Sequence, residues 1–224
     1  THFKEILGKI LSKTEELVPS INQTGWGFKT ISNPIVNCPP ILEIATDDLL
    51  VDIAGSYFGC APAIGAANLR RSYPTGSEEE STLLFHSDPN SIKFLKFFFY
   101  LNDVDMGGGP LTYIEGSNKD ISGERGRLKR FESKYRWTYN EVIQTYSEDK
   151  IKYLTANFGD MIVANTTGMH RGTKVKDKKR TMLTINYTIH PEDWNTDKMF
   201  KVRKEDAEKV PEDKLFLLDF LIRS

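Results

Sequence analysis

Apolar residues recur at helical spacing near the start of the chain. Phe3, Ile6, Leu7, Ile10, Leu11 and Leu17 stand among Lys and Glu, which predicts an amphipathic helix over residues 2–18. Gly, Asn and Pro then punctuate residues 19–40, the texture of loop or short strand. Helical spacing returns over residues 41–58. Asp47-Asp48 reads as a start signal, Leu49, Leu50, Ile53 and Ala54 as the apolar side, and Gly59 as the stop.

From residue 66 the texture becomes strand-like. Residues 66–72, 81–88, 93–101, 111–114, 151–154, 160–165 and 181–189 are short and separated by turn signals such as Gly107-Gly108-Gly109-Pro110. Residues 74–80 form a polar loop. The interval 119–150 is charged, helix-like only around 137–146, and reads as an insertion or lid. A last helical pattern over residues 205–221 is interrupted near Pro211. Short strands behind a helical N-terminal portion predict a mainly β fold, a β-sandwich or jelly roll with helices packed outside. One domain is expected, with its core at about residues 60–190. No Gly-rich phosphate loop follows a strand, which disfavours a nucleotide-binding α/β fold.

Composition narrows the function classes. With 39% apolar and 11% aromatic residues, the 224-residue chain can build a substantial core. A net charge of −1 supplies no global field to attract nucleic acid or acidic lipid, and no apolar run has membrane-spanning length. Cys38 and Cys60 fit neither a metal spacing nor a disulfide framework, so a reducing compartment, the cytoplasm, is expected.

The candidate chemistry begins at Phe85-His86-Ser87-Asp88. In a strand, residues two apart leave the same face, so an imidazole and a carboxylate would point together. They are two of the three ligands of a 2-His-1-carboxylate facial triad for non-haem Fe(II). A His-x-Asp triplet is common by chance, so a second histidine is needed. The chain has four: His2, His86, His170 and His190. His2 and His190 read as exposed or structural. His170, flanked by glycines after the strand-like 160–165, is placed to reach a metal held by a neighbouring strand, a turn histidine bonded to backbone being the alternative. Arg180 enters an apolar strand and needs an anion if buried, for which its planar fork suits a carboxylate.

The order His86-x-Asp88, His170, Arg180 resembles the Fe(II)/2-oxoglutarate-dependent oxygenases. Three stretches resemble the phytanoyl-CoA dioxygenase-like group in particular: Leu101-Asn102-Asp103-Val104, Gly109-Pro110-Leu111-Thr112-Tyr113-Ile114-Glu115-Gly116-Ser117, and Gly159-Asp160 through His170-Arg171-Gly172. The resemblance covers roughly residues 45–190. It implies a double-stranded β-helix (a jelly-roll, cupin-like core), iron held by His86, Asp88 and His170, and 2-oxoglutarate whose C5 carboxylate pairs with Arg180. Hydroxylation of a small molecule with O2 would then be coupled to decarboxylation of 2-oxoglutarate to succinate and CO2. The departures are Asn118 where the group has histidine after Gly-Ser, and Met182 where some relatives place a serine; Thr181 or Thr184 would have to supply that hydroxyl.

Secondary candidates follow. Period-two counting puts Lys96 with Phe94, Phe98 and Tyr100, where its charge would meet the co-substrate carboxylates; the alternative is an outer-face lysine. Tyr100, Asn165 and Thr184 are candidate pocket-lining residues. Arg71 is a candidate for binding an anionic substrate, although Arg70 and Arg71 also read as a surface pair, and residues 125–134 form a basic stretch. The rival readings are a non-catalytic cupin-like binding protein, a halogenase (disfavoured because Asp88 is retained) and a zinc hydrolase (disfavoured because Arg180 would be idle).

Overall fold

The computed structural model describes residues 2–22, 27–75, 81–88, 93–119, 136–190 and 200–223. Helix α1 (His2–Leu17) follows the predicted stripe, burying Ile6, Leu7 and Ile10 on one face. The segment predicted as one helix over 41–58 is two, α3 (Pro40–Ala45) and α4 (Asp48–Phe58), preceded by the short α2 (Pro34–Asn37). The break falls where Asp47 accepts the backbone N–H of Leu49 and caps α4, a contribution of about 1 kcal/mol. Gly59 ends α4 in the left-handed conformation, as predicted.

The strands are β1 (Phe28–Ile31), β2 (Ala63–Ser72), β3 (Phe94–Tyr100), β4 (Leu111–Ile114), β5 (Ile151–Leu154), β6 (Met161–Ala164), β7 (His170–Gly172), β8 (Arg180–Thr188), β9 (Lys201–Val202) and β10 (Ile222–Arg223). They form a five-stranded antiparallel sheet in the order β1-β2-β8-β3-β6 and a three-stranded one in the order β5-β4-β7. A separate two-stranded pair, β9 with β10, is parallel. The predicted strand over 81–88 is mostly not one. Residues 81–83 are a 3-10 turn, and isolated bridges tie Phe85 to Trp137 and His86 to His170. The tail departs from the predicted helix too: it contains α6 (Lys204–Ala207) and a 3-10 helix over Glu212–Leu218.

The two faces of the large sheet are chemically distinct. Outward, Ala67 and Leu69 of β2, Leu95, Phe97 and Phe99 of β3, and Leu183, Ile185 and Tyr187 of β8 pack into one core with α1, α3 and α4. Inward, Ala66, Asn68, Arg70 and Ser72 of β2, Lys96 of β3, and Met182 and Thr184 of β8 are all partly exposed. Phe94, Phe98, Tyr100, Arg180 and Asn186 on the same inner face are buried. A smaller core of Phe85, Ile114, Val142, Ile151 and Met169 backs the three-stranded sheet. Helix α5 (Tyr139–Ile143) carries Val142 into that core, so this part of the predicted insertion is structural. Residues 120–135, including the basic stretch, lie outside the described residues.

Arg71 corrects an expectation. It belongs to the outer face, 3% exposed, where Nε donates to Thr181 Oγ1 at 2.8 Å and Nη1 and Nη2 clamp both carboxylate oxygens of Glu15 at 2.8 and 2.7 Å. It ties α1 to the sheet and faces away from the interior. The bonds from Arg71 hold the Glu15 carboxyl below its usual range, against an opposing effect of burial. Glu15→Gln leaves a buried guanidinium without its counter-ion and is expected to lower stability by about 1–3 kcal/mol at pH 7. Because the folded-state value is depressed, this contribution is present above the unfolded value and fades as pH falls through the folded one. Urea unfolding of both proteins between pH 7 and pH 3 should therefore show the difference shrinking on acidification.

Candidate metal centre

Backbone pairing brings the two distant histidines together. His86 and His170 exchange both N–H···O=C bonds, each 2.9 Å, making His86 the next rung beside β7. The segment continues along the same track: Ser87 Oγ donates to the Thr167 carbonyl, and the Asp88 N–H to the Thr166 carbonyl at 2.9 Å. The rings of His86 and His170 lie 4.4 Å apart, tilted by 50°.

Each imidazole has one nitrogen occupied. His86 Nδ1 is 2.9 Å from the Leu84 carbonyl and His170 Nδ1 is 2.9 Å from the Gly168 carbonyl. A carbonyl only accepts, so each Nδ1 is a protonated nitrogen, and in the neutral ring the lone pair is then carried by Nε2. The two Nε2 atoms lie 3.8 and 3.4 Å from Asp88 Oδ1 and Oδ2, and the three candidate ligand atoms fall within 4.8 Å of one another. Ordering one ring nitrogen to present the other is how histidines are oriented toward metals. Each carbonyl belongs to the residue two before its histidine, a signal present in the sequence but silent without the fold.

The protonation states suit a cation. Burial, and then the neighbouring His170, push the His86 imidazole down to about 3, so it is neutral at pH 7. Burial alone would raise Asp88, but the Lys96 ammonium and His170 outweigh it and hold its carboxyl well below the usual range. Lys96 does lie on the inner face, as period-two counting predicts. There it meets Asp88 Oδ2 at 2.6 Å, so the structure directs its charge to the carboxylate of the triad.

Arg180 is buried at the start of β8. Its Nη1 donates to the Gly109 carbonyl, whereas its buried Nε has no partner, and no carboxylate among the described residues pairs with it. Two glycines make room. Gly109 has φ +73, and a Cβ there would come within 2.5 Å of the Thr173 carbonyl; a Cβ at Gly172 would press on Arg180 Nη2 at 3.3 Å. Gly172 lies two residues after His170 on β7, about 7 Å along the strand. The guanidinium thus sits one side-chain repeat from the triad.

The remaining candidates separate. Tyr100 is completely buried and bridges the sheets, its hydroxyl donating to the Leu154 carbonyl at 3.1 Å and accepting from Leu111 N–H at 2.8 Å. Asn165 orders the turn before His170 through Thr167 and reaches Tyr57 at 2.7 Å, a structural duty. Thr184 lies on the inner face, partly exposed. Thr181 is turned outward to Arg71, and so does not accompany Arg180. His2 and His190 are exposed.

No protein-family model matches the sequence, and neither does any curated protein. Solved structures do share the fold. HygX from Streptomyces hygroscopicus, with nickel and 2-oxoglutarate bound, superposes with a TM-score of 0.62 at 18% identity over 84% of this chain and 80% of its own. A second HygX structure, which also holds hygromycin B, gives 0.57 at 15% over 83% and 80%. SnoN, a non-haem α-ketoglutarate-dependent epimerase from nogalamycin biosynthesis, gives 0.57 at 14% over 82% and 73%. SnoK, a carbocyclase of the same dependence and pathway, gives 0.59 at 14% over 84% and 74%. The chain therefore shares the fold of HygX, SnoN and SnoK.

With Nε2 lone pairs and a carboxylate already converged, a divalent ion should bind without refolding. Ni(II) at a hundred times its dissociation constant is expected to stabilise the protein by about 2.7 kcal/mol. His170→Ala should show no such gain in thermal unfolding.

Proposed function

We propose that the protein is an Fe(II)- and 2-oxoglutarate-dependent dioxygenase that hydroxylates a small molecule, with its two antiparallel sheets forming a double-stranded β-helix of the phytanoyl-CoA dioxygenase-like kind. One observation carries the reading. A buried arginine with no counter-anion among the described residues, Arg180, lies on the inner face near three converging metal-ligand atoms of His86, Asp88 and His170. An unpaired buried guanidinium is costly, so the site calls for a ligand carboxylate, and a diacid that also chelates the metal satisfies both demands. Zinc hydrolysis would leave that cation unexplained, and a purely structural cupin-like role would leave the ordered imidazoles unexplained as well.

In this reading His86, Asp88 and His170 hold the iron on one side, leaving the other positions open. Arg180 holds the distal carboxylate of 2-oxoglutarate, with its Nη1 anchored on the Gly109 carbonyl. Lys96 keeps Asp88 ionised and fixed rather than touching the co-substrate. Iron with 2-oxoglutarate and O2 supplies oxidising power against an unactivated C–H bond, releasing succinate and CO2. The protein's part is to orient the substrate over that centre, and the partly exposed inner faces of β2 and β8 give it a lining. Among the described helices none is long and apolar enough to cross a membrane. Hydroxylation is the proposed outcome; SnoN and SnoK, on the same fold, are an epimerase and a carbocyclase, and the substrate's placement decides between such outcomes.

Anaerobic addition of Fe(II) and then 2-oxoglutarate should produce a weak visible charge-transfer band, and its absence would refute the proposal. Arg180→Ala should weaken 2-oxoglutarate by roughly ten- to a hundredfold while metal affinity stays close to wild type. Gly172→Val, which crowds the guanidinium, should weaken the same ligand in the same direction.

A further inference from the structure

Adjacent arginines on β2 have opposite fates. Arg71 points outward with its donors taken by Glu15 and Thr181. Arg70 points inward. In the β2–β8 register it stands opposite Met182, while Arg180 stands opposite Ser72, so the two inner-face arginines are diagonal neighbours on adjacent strands. Arg70 lies over the Phe28 ring at 4.1 Å, an apolar seat that fixes the guanidinium without neutralising it. Its Nε is buried and has no partner, as is true of Arg180 Nε, and no carboxylate among the described residues pairs with either. Burial, and then the charge of Arg180, bring Arg70 down to about 10. Among the described residues there is a counter-ion for the outward arginine and none for the inward pair.

Two like charges sharing a desolvated space without an anion are costly, and one carboxylate between them removes the cost. A carboxylate has two oxygens and about four acceptor positions, enough for a guanidinium on each side. The hydroxyls that sequence reasoning offered as the second contact are poorly placed: Thr181 faces outward and Thr184 lies four residues further along β8. Resting on the function proposed above, we infer that Arg70 is the second contact to the C5 carboxylate of 2-oxoglutarate, forming with Arg180 a two-guanidinium clamp. The clamp makes the co-substrate site selective for a diacid over a 2-oxo acid of equal length with a single carboxylate.

The test is an anaerobic titration of the Fe(II)-loaded protein with 2-oxoglutarate and, separately, with 2-oxopentanoate, which carries a methyl group in place of the C5 carboxylate. Arg70→Gln should weaken 2-oxoglutarate by roughly ten- to a hundredfold and leave 2-oxopentanoate within about twofold of wild type. Arg70→Lys, which keeps the charge but not the planar fork, guards against a folding defect and should show a smaller loss confined to 2-oxoglutarate. Unchanged 2-oxoglutarate affinity in both variants overturns the inference, as does an equal loss for both ligands. If the wild-type protein binds Fe(II) but neither 2-oxo acid, the functional reading itself fails and takes the clamp with it.

Discussion

The arrangement depends on one reciprocal pair of backbone hydrogen bonds, the rung between His86 and His170. Without it the triplet His86-Ser87-Asp88 belongs to a segment that is scarcely a strand. With it, the segment is held along β7 and the turn before it, and two imidazoles separated in sequence by strands β3 to β6 lie 4.4 Å apart. Side-chain precision here is borrowed from main-chain geometry. The Nδ1 bonds to the Leu84 and Gly168 carbonyls then set the tautomer of each ring.

Around that rung the molecule separates two kinds of burial. The outer faces of the sheets are closed by helices and apolar side chains, and even the charged pair Arg71–Glu15 is satisfied there. The inner face is balanced only in part among the described residues. Asp88 has its cation in Lys96, but Arg70 and Arg180 have no carboxylate among the described residues.

How much of this was legible in the sequence follows from the range of each signal. Period-two alternation placed Lys96 on the inner face, and the helical stripe of α1 and the Asp47 cap and Gly59 stop of α4 emerged where the residues put them. These are local rules. Where the outcome rested on a partner, local reading could not reach it: the Leu154 carbonyl and Leu111 N–H are what claim the Tyr100 hydroxyl. Arg70 and Arg71 looked alike because neither neighbour sequence nor composition says which face of β2 meets Glu15.

The sequence by itself determined most of the strands, their alternation, and the residue types able to hold a metal and a carboxylate, because side-chain direction along a strand and capping at a helix end are fixed within a few residues. Only the tertiary structure decided that His86 stands beside His170, that Lys96 meets Asp88, and that Arg70 shares the inner face with Arg180 while Thr181 turns outward. Those facts come from strand register, in which a shift of one residue exchanges the two faces of a sheet, and register is set by pairing between distant segments.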